Sequence, residues 1–143
     1  MTEAKAPYQL TEVLHKRFNQ FKKITDKDKR FERIIQLGKR LGDFPEEFKT
    51  EENQVHGCAS LVYIVGKSEN QKMHYQGWSN SHLVKGLVAL LVEGMNNASP
   101  QEVLDIDPAF IEEMGLAQTL TASRANGFIN AFNMMKRIAE REI

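Results

Sequence analysis

Residues 61–78 read LVYIVGKSENQKMHYQGW, and this stretch decides the fold. Its first part, residues 61–65, is rich in β-branched and aromatic residues, and a second run of this kind occupies residues 72–78. The polar residues 66–70 between the two runs are typical of a turn. The stretch therefore predicts an antiparallel hairpin within a small sheet of two or three strands.

Helical patterns flank the hairpin on both sides. Two amphipathic helices are predicted in the amino-terminal third, from apolar residues at helical spacing before and after a charged connector at residues 26–29. Residues 81–95 are apolar on nearly every side, which predicts a buried central helix capped by Ser79 or Asn80. The sequence SPQE at residues 99–102 has the capping serine, first-turn proline and glutamate that begin a further helix.

The remaining pattern is also helical. A short helix is predicted over residues 108–114, followed by a last amphipathic helix. That helix has four apolar residues on one stripe: Phe128, Phe132, Met135 and Ala139. The order of helices, sheet and helices indicates an α+β fold with a small antiparallel sheet packed against helices. We expect one domain over residues 1–143, with residues 1–9 as a flexible amino terminus.

Composition excludes several classes of partner. The chain has 143 residues, and its 19 basic residues are balanced by 19 acidic ones, so no net positive field is available to hold nucleic acid or an anionic membrane. The longest apolar stretch, residues 83–95, contains Lys85 and Glu93 and is too short to cross a bilayer. We expect a cytoplasmic protein with no nucleic acid and no membrane among its partners.

Cys58 is the only cysteine. It follows the acidic residues 43–53, which show no sustained period and predict an irregular connection, and it precedes the first strand. One thiol cannot form an internal disulfide or supply the several thiolates of a zinc or iron–sulfur site. The pattern therefore indicates one nucleophile or one carrier atom on a loop.

The neighbours of Cys58 suggest how the thiol would be used. Gly57 allows the backbone to turn, and His56 and Ser60 offer nearby polar groups. If the segment is extended, the side chains of His56 and Cys58 point to the same face. Three interpretations stay open at this point: a carrier thiol, a hydrolase or transferase nucleophile paired with His56 or His74, and an inert core cysteine.

Two further residues attract attention. Arg124 opens the last helix, where a cation is electrostatically unfavourable, so a functional contact would explain its presence. Trp78 is either a core residue or an exposed anchor near the start of the central helix, and we favour the core interpretation. The sequence contains no Gly-rich phosphate loop, paired metal-ligand spacing or nucleophile elbow, so nucleotide-dependent and serine-hydrolase chemistry have no support.

Five blocks of the sequence, in order along the chain, resemble the SufE family of sulfur-acceptor proteins, which includes the CsdE branch. They are FERIIQLGKRL at residues 31–41, VHGCASLVY at residues 55–63, LVKGL at residues 83–87, TLT at residues 119–121 and SRANGF at residues 123–128. The resemblance implies an α+β fold like that of the IscU-type iron–sulfur scaffold proteins.

The resemblance also implies a function. Such proteins take sulfur from the persulfide of a PLP-dependent cysteine desulfurase of the SufS or CsdA type, stimulate that enzyme and deliver the sulfur to an iron–sulfur scaffold. By the family motif, Cys58 is the acceptor, and Arg124 matches an arginine that supports the acceptor loop or partner docking. The chain itself is then an accessory protein rather than an enzyme, with no cofactor or metal of its own, since PLP belongs to the desulfurase. We expect its loop to hold Cys58 in an apolar pocket and to release it at the partner surface.

The chain departs from the family pattern at five positions. They are Ala59, Leu61, Tyr63, Trp78 and Asn80. These departures bear on which desulfurase is recognised and on how the loop packs, rather than on sulfur transfer itself.

Overall fold

The structure is a computed structural model that describes residues 9–143, apart from the side chains of residues 117 and 118. In chain order its elements are α1 (Glu12–Lys23), α2 (Lys27–Gly38), β1 (Val62–Glu69), β2 (Lys72–Ser79), α3 (His82–Met95), α4 (Pro100–Leu104), α5 (Ala109–Glu113), α6 (Leu116–Thr119) and α7 (Ala122–Arg141). The flexible amino terminus expected at residues 1–9 falls almost entirely outside the described residues and stays a prediction.

The hairpin is longer than predicted. β1 and β2 pair antiparallel from Val62 opposite Ser79 to Glu69 opposite Lys72, so most of the segment expected to turn belongs to β1. The turn itself is Asn70 and Gln71, both at positive φ (52° and 64°). Two consecutive positive φ angles match the twist of paired strands, which is why a two-residue turn suffices here. In the described part of the chain these two strands make up the whole sheet.

α3 is the centre of the core, as predicted. Its residues Leu90 and Leu91 are fully buried, and the helix packs against β2 on one side and against α1 and α2 on another. The predicted cap was wrong: the Ser81 hydroxyl accepts from the Val84 amide (3.3 Å). Ser79 and Asn80 belong to the end of the hairpin, so the helix begins one residue later than expected.

α2 approaches α3 through two glycines. A Cβ on Gly86 would collide with the carbonyl group of Ile34, and a Cβ on Gly38 would lie 2.9 Å from the Gly86 nitrogen. No larger residue fits between the two backbones. The helix axes can therefore come close only because both side chains are absent.

α1 is tied to α3 by charge as well as by packing. Arg17 is 6% exposed, and its guanidinium donates to both carboxylate oxygens of Glu93 (2.9 and 2.7 Å). The charged connector predicted at residues 26–29 is instead the start of α2. The Asp26 carboxylate accepts from the amides of Asp28 and Lys29 and caps the helix.

The carboxyl-terminal half confirms most of the helical pattern. Ser99 and Glu102 form the predicted capping box of α4, α5 lies within residues 108–114, and the apolar stripe of α7 is buried. α6 was not predicted, because four residues are too few to show a period. None of the helices described is both long and apolar enough to cross a bilayer. The α+β prediction is confirmed, with α3 packed against β2 and α7 packed against β1.

Candidate functional site

Cys58 lies in a loop that leaves the sheet and returns to it. The Val55 amide donates to the Val62 carbonyl (2.9 Å), which closes the loop at its base. Gly57 has φ of +83°, a conformation that residues with a side chain rarely adopt. The segment is therefore a turn rather than an extended strand, so the condition under which His56 and Cys58 would share one face is not met.

The Cys58 side chain rests against α7. The residue is half-buried, and its Sγ donates to the Gly127 carbonyl across 3.5 Å. A Cβ on Gly127 would lie 3.0 Å from Sγ, so the missing side chain makes room for the sulfur. The loop thus sits directly on the helix at this point.

A small cavity of about 20 Å³ lies beside the Cys58 side chain. Its apolar lining consists of Ala59, Val62, Val84, Leu87, Val88, Phe128 and Ala131. A volume of this size holds roughly one water-sized group. The cavity, which we call the Cys58 cavity, therefore has room for a single additional atom near the thiol.

Burial raises the pKa of the Cys58 thiol. Among the described residues, no basic side chain forms a hydrogen bond with Sγ. The one hydrogen-bond partner of Sγ there is the Gly127 carbonyl. A carbonyl oxygen stabilises the protonated thiol, since only S–H can donate to it. At rest the group is therefore a thiol rather than a nucleophilic thiolate.

Asn130 holds the loop at a second point. Its Nδ2 donates to the Gly57 carbonyl (3.3 Å), and a Cβ on Gly57 would collide with this same amide. Sequence reasoning missed both Gly127 and Asn130 as loop contacts. A signal was present, because a glycine and an asparagine three residues apart share one face of a helix that neither favours.

Arg124 and Ser60 line the Cys58 cavity together with Cys58. Arg124 is the third residue of α7 and exposed, and its amide donates to the capping Thr121 hydroxyl (3.3 Å). The structure thus brings together three of the residues singled out from the sequence. The roles assigned to them remain predictions.

His56 lines a different space from Cys58. It is exposed and lines an open groove of about 240 Å³ along α7. We call this the arginine groove, and its polar lining is Glu52, Gln54, His56, Asn130, Asn133, Arg137 and Arg141. His56 does not line the Cys58 cavity, so the two sequence neighbours face different surroundings.

The second histidine considered as a partner for Cys58 is further away. His74 is exposed and pairs with Lys67 near the hairpin turn. Lys67 lies five residues along β1 from Val62, which is roughly 17 Å at the usual rise of a strand. Neither histidine is therefore in position to take a proton from the thiol.

The departures from the family pattern are concentrated at one end of the hairpin. Tyr63 and Trp78 face each other across the strands (5.9 Å between ring centroids), and the Lys49 ammonium lies 3.8 Å from the Trp78 ring centroid. Trp78 is half-buried on the outer face, so the core interpretation was wrong in part. The Leu61 amide donates to the Asn80 side chain (3.1 Å), and the Asn80 amide donates to the Leu61 carbonyl (3.3 Å), which fixes the exit of the loop.

Within residues 9–143, and setting aside the two undescribed side chains, no group of three or more His, Cys, Asp and Glu residues is arranged to hold a metal ion.

Comparison with known proteins identifies the family. Residues 15–139 match SufE, an Fe-S metabolism associated domain. An uncharacterized SufE-like protein of Synechocystis is 45% identical over 136 residues, covering 95% of this chain and 83% of that protein. The sulfur acceptor protein CsdE of Escherichia coli is 33% identical over 117 residues, covering 80% of this chain and 79% of CsdE.

A solved structure has the same fold. The solution structure of a hypothetical protein from Thermus thermophilus superposes with a TM-score of 0.81 at 22% identity, covering 93% of this chain and 97% of the other. The match of the family over residues 15–139, together with the relatives above, shows that this chain belongs to the SufE family.

Proposed function

We propose that this protein is a sulfur acceptor that carries sulfur on Cys58 from a PLP-dependent cysteine desulfurase toward iron–sulfur cluster assembly. The observation that carries the proposal is the Cys58 cavity, which offers an apolar space of about 20 Å³ beside the lone thiol. One added sulfur atom is a group of that size. The name of the E. coli relative, a sulfur acceptor protein, supports the same role.

The proposed transfer needs one thiol and no cofactor on this chain. The Cys58 thiolate attacks the outer sulfur of the desulfurase persulfide, a new S–S bond forms on Cys58, and the desulfurase cysteine leaves as a thiolate. The proton lost from Cys58 passes to solvent or to a desulfurase group. The sulfur is then released to an iron–sulfur scaffold by a second exchange, which regenerates the Cys58 thiol.

Docking and activation are coupled in this proposal. The resting thiol is protonated because burial raises its pKa and the Gly127 carbonyl accepts its proton in a hydrogen bond. Movement of the loop into the desulfurase removes both effects and exposes the sulfur. Arg124, exposed at the rim of the Cys58 cavity, is suited to contact the partner when the loop leaves. Stimulation of the desulfurase follows because the acceptor clears its persulfide.

The rival function, a hydrolase or transferase nucleophile, lacks a base. The Sγ hydrogen bond goes to a carbonyl, and His56 lines the arginine groove rather than the Cys58 cavity. We therefore propose an accessory protein of the cytoplasm whose partners are a SufS- or CsdA-like desulfurase and an iron–sulfur scaffold. PLP acts on the desulfurase in this scheme.

Intact-mass spectrometry tests the proposal. The protein is incubated with a cysteine desulfurase, PLP and cysteine, and we expect a gain of one sulfur (~32 Da) that a reductant removes. Cys58→Ser should gain none, whereas Ala109→Ser, an exposed substitution on α5 outside the cavity, should behave like the wild type. A sulfur gain on Cys58→Ser, or none on the wild type with SufS-type and CsdA-type enzymes, would overturn the proposal.

A further inference from the structure

The arginine groove contains two guanidinium groups that have no partner among the described residues. Arg137 and Arg141 lie one turn apart on α7, are both exposed, and make no hydrogen bond or ion pair with any residue the structure describes. Arg17, by contrast, is bound to the Glu93 carboxylate (2.7 Å) and Arg30 to the Gly115 carbonyl (3.4 Å). The groove is therefore a place where this chain leaves positive charge unneutralised.

The rest of the groove suits an anionic group. The Asn130 and Asn133 amides and the His56 ring offer further donors around the same space. Glu52 is the one acidic residue of the lining, and neither arginine forms an ion pair with it. Arginine forks bind carboxylates in bidentate fashion, and side chains four apart on a helix are close enough to hold two of them.

The groove and the Cys58 loop share a residue. Asn130 lines the groove and also donates to the Gly57 carbonyl, which holds the loop on α7. A carboxylate that enters the groove comes within reach of this amide and competes for it. Binding of a carboxylate in the groove thus weakens one of the hydrogen bonds that hold the loop on α7.

We propose that the arginine groove is the docking site for an acidic surface segment of the cysteine desulfurase, and that Arg137 and Arg141 bind its carboxylates. This inference rests on the proposed function. A protein partner fits better than a free small anion, because the groove is open, its arginines are exposed, and any protein that takes Cys58 into its active site must cover the neighbouring helix surface. On docking, a carboxylate of the desulfurase accepts the hydrogen bond of the Asn130 amide. This frees the Gly57 carbonyl, and with it the Cys58 loop, at the moment when the desulfurase binds the loop.

Charge reversal tests the inference. The dissociation constant for a desulfurase is measured for the wild type and for Arg137→Glu/Arg141→Glu at low salt and at high salt. We expect at least tenfold weaker binding at low salt, and a smaller ratio at high salt because exposed charges are screened. At saturating concentrations the double variant should gain the same single sulfur as the wild type, since neither arginine touches the thiol.

The matched control is Lys16→Glu/Lys39→Glu, which makes the same change in net charge on exposed positions of α1 and at the end of α2. Its affinity should stay within twofold of the wild type. Equal loss in both double variants, or no loss in either, would overturn the inference. So would a sulfate titration that shifts the amide resonances of the groove while the arginine variant still binds the desulfurase normally, because the groove would then hold a free anion.

The two proposals fail in different ways. A wild type that binds the desulfurase through the arginines but gains no sulfur would overturn the proposed function and support the docking site. A wild type that gains sulfur, together with a double variant of unchanged affinity, would overturn the docking site alone. A wild type that binds no desulfurase would overturn both.

Discussion

Two close contacts in this molecule depend on a missing side chain, and they differ in what holds them. Between α2 and α3, Gly86 admits the backbone of Ile34, and buried apolar residues surround the contact. Between the Cys58 loop and α7, Gly127 admits the Cys58 sulfur, and the loop is held by hydrogen bonds of 3.5 Å and 3.3 Å from Cys58 and Asn130.

The difference teaches which part of the fold can move. Separating α2 from α3 exposes a large apolar surface, which costs on the order of 25 cal/mol per Å². Lifting the loop breaks two long hydrogen bonds, each worth about 1 kcal/mol or less. The first contact therefore holds the fold together, whereas the second is weak enough for a partner to open.

The largest effect is expected from Gly86→Ala. The added Cβ collides with the Ile34 carbonyl group, which belongs to a helix backbone and cannot rotate away. We expect the free energy of unfolding to fall by about 3 kcal/mol or more, at the upper end of the cost of overpacking. Urea denaturation monitored by circular dichroism measures the change.

Gly42→Ala is the matched control, because a Cβ there meets no atom within 4 Å. Its free energy of unfolding should change by no more than about 0.5 kcal/mol. If Gly86→Ala changed the free energy of unfolding as little as Gly42→Ala, the α2–α3 contact would not be the one that holds the fold together.

A smaller effect on the free energy of unfolding is expected from acid, which acts on the ion pair between α1 and α3. The hydrogen bond from Arg17, together with the charges of Arg17, Arg40 and Arg33, holds the pKa of the Glu93 carboxyl below its usual range, although burial opposes this. A lowered folded-state pKa stabilises the protein above the unfolded-state pKa of about 4.3, and this stability is lost as the pH falls through the folded-state pKa.

Glu93→Gln isolates this contribution. At neutral pH the variant should lose about 1–3 kcal/mol of its free energy of unfolding, because the nearly buried Arg17 guanidinium keeps a weaker acceptor. Below the folded-state pKa of Glu93 the difference between variant and wild type should shrink. A difference that stays constant from neutral to acidic pH would show that the loss is one of packing rather than charge.

Most of the packed helices could be predicted from the sequence. Periodicity located α1, α2, α3 and α7, and the capping box located α4, because these elements are specified by residues close together in the chain. Errors occurred where a boundary depends on one bond, such as the cap of α3 or the hairpin turn at Asn70 and Gln71.

The site could be predicted only in part. A lone cysteine beside a glycine indicated a loop thiol, and Cys58, Ser60 and Arg124 do line one cavity. The hydrogen-bond partners of the loop lie about 70 residues further along the chain (73 from Gly57 to Asn130). Such a contact depends on tertiary packing: the glycine and the asparagine in α7 signal a contact on one helix face, but no local pattern says which loop makes it.

The smallest change in stability, and the sharpest test of the comparison, is expected from Gly127→Ala. Alanine in place of glycine inside a helix contributes about 1 kcal/mol in its favour, whereas its Cβ would press on the Cys58 sulfur at 3.0 Å. A loop held by weak bonds can give way, so the free energy of unfolding should stay within about 1 kcal/mol of the wild type. The displaced thiol should then react several-fold faster with iodoacetamide, because it loses the Gly127 carbonyl and part of the burial that raises its pKa. Gly86→Ala is the control: it should lower the free energy of unfolding and leave the rate of Cys58 labelling, measured on the folded protein, nearly unchanged. If Gly127→Ala instead lowered the stability and left the labelling rate unchanged, the loop would be as firmly held as the core.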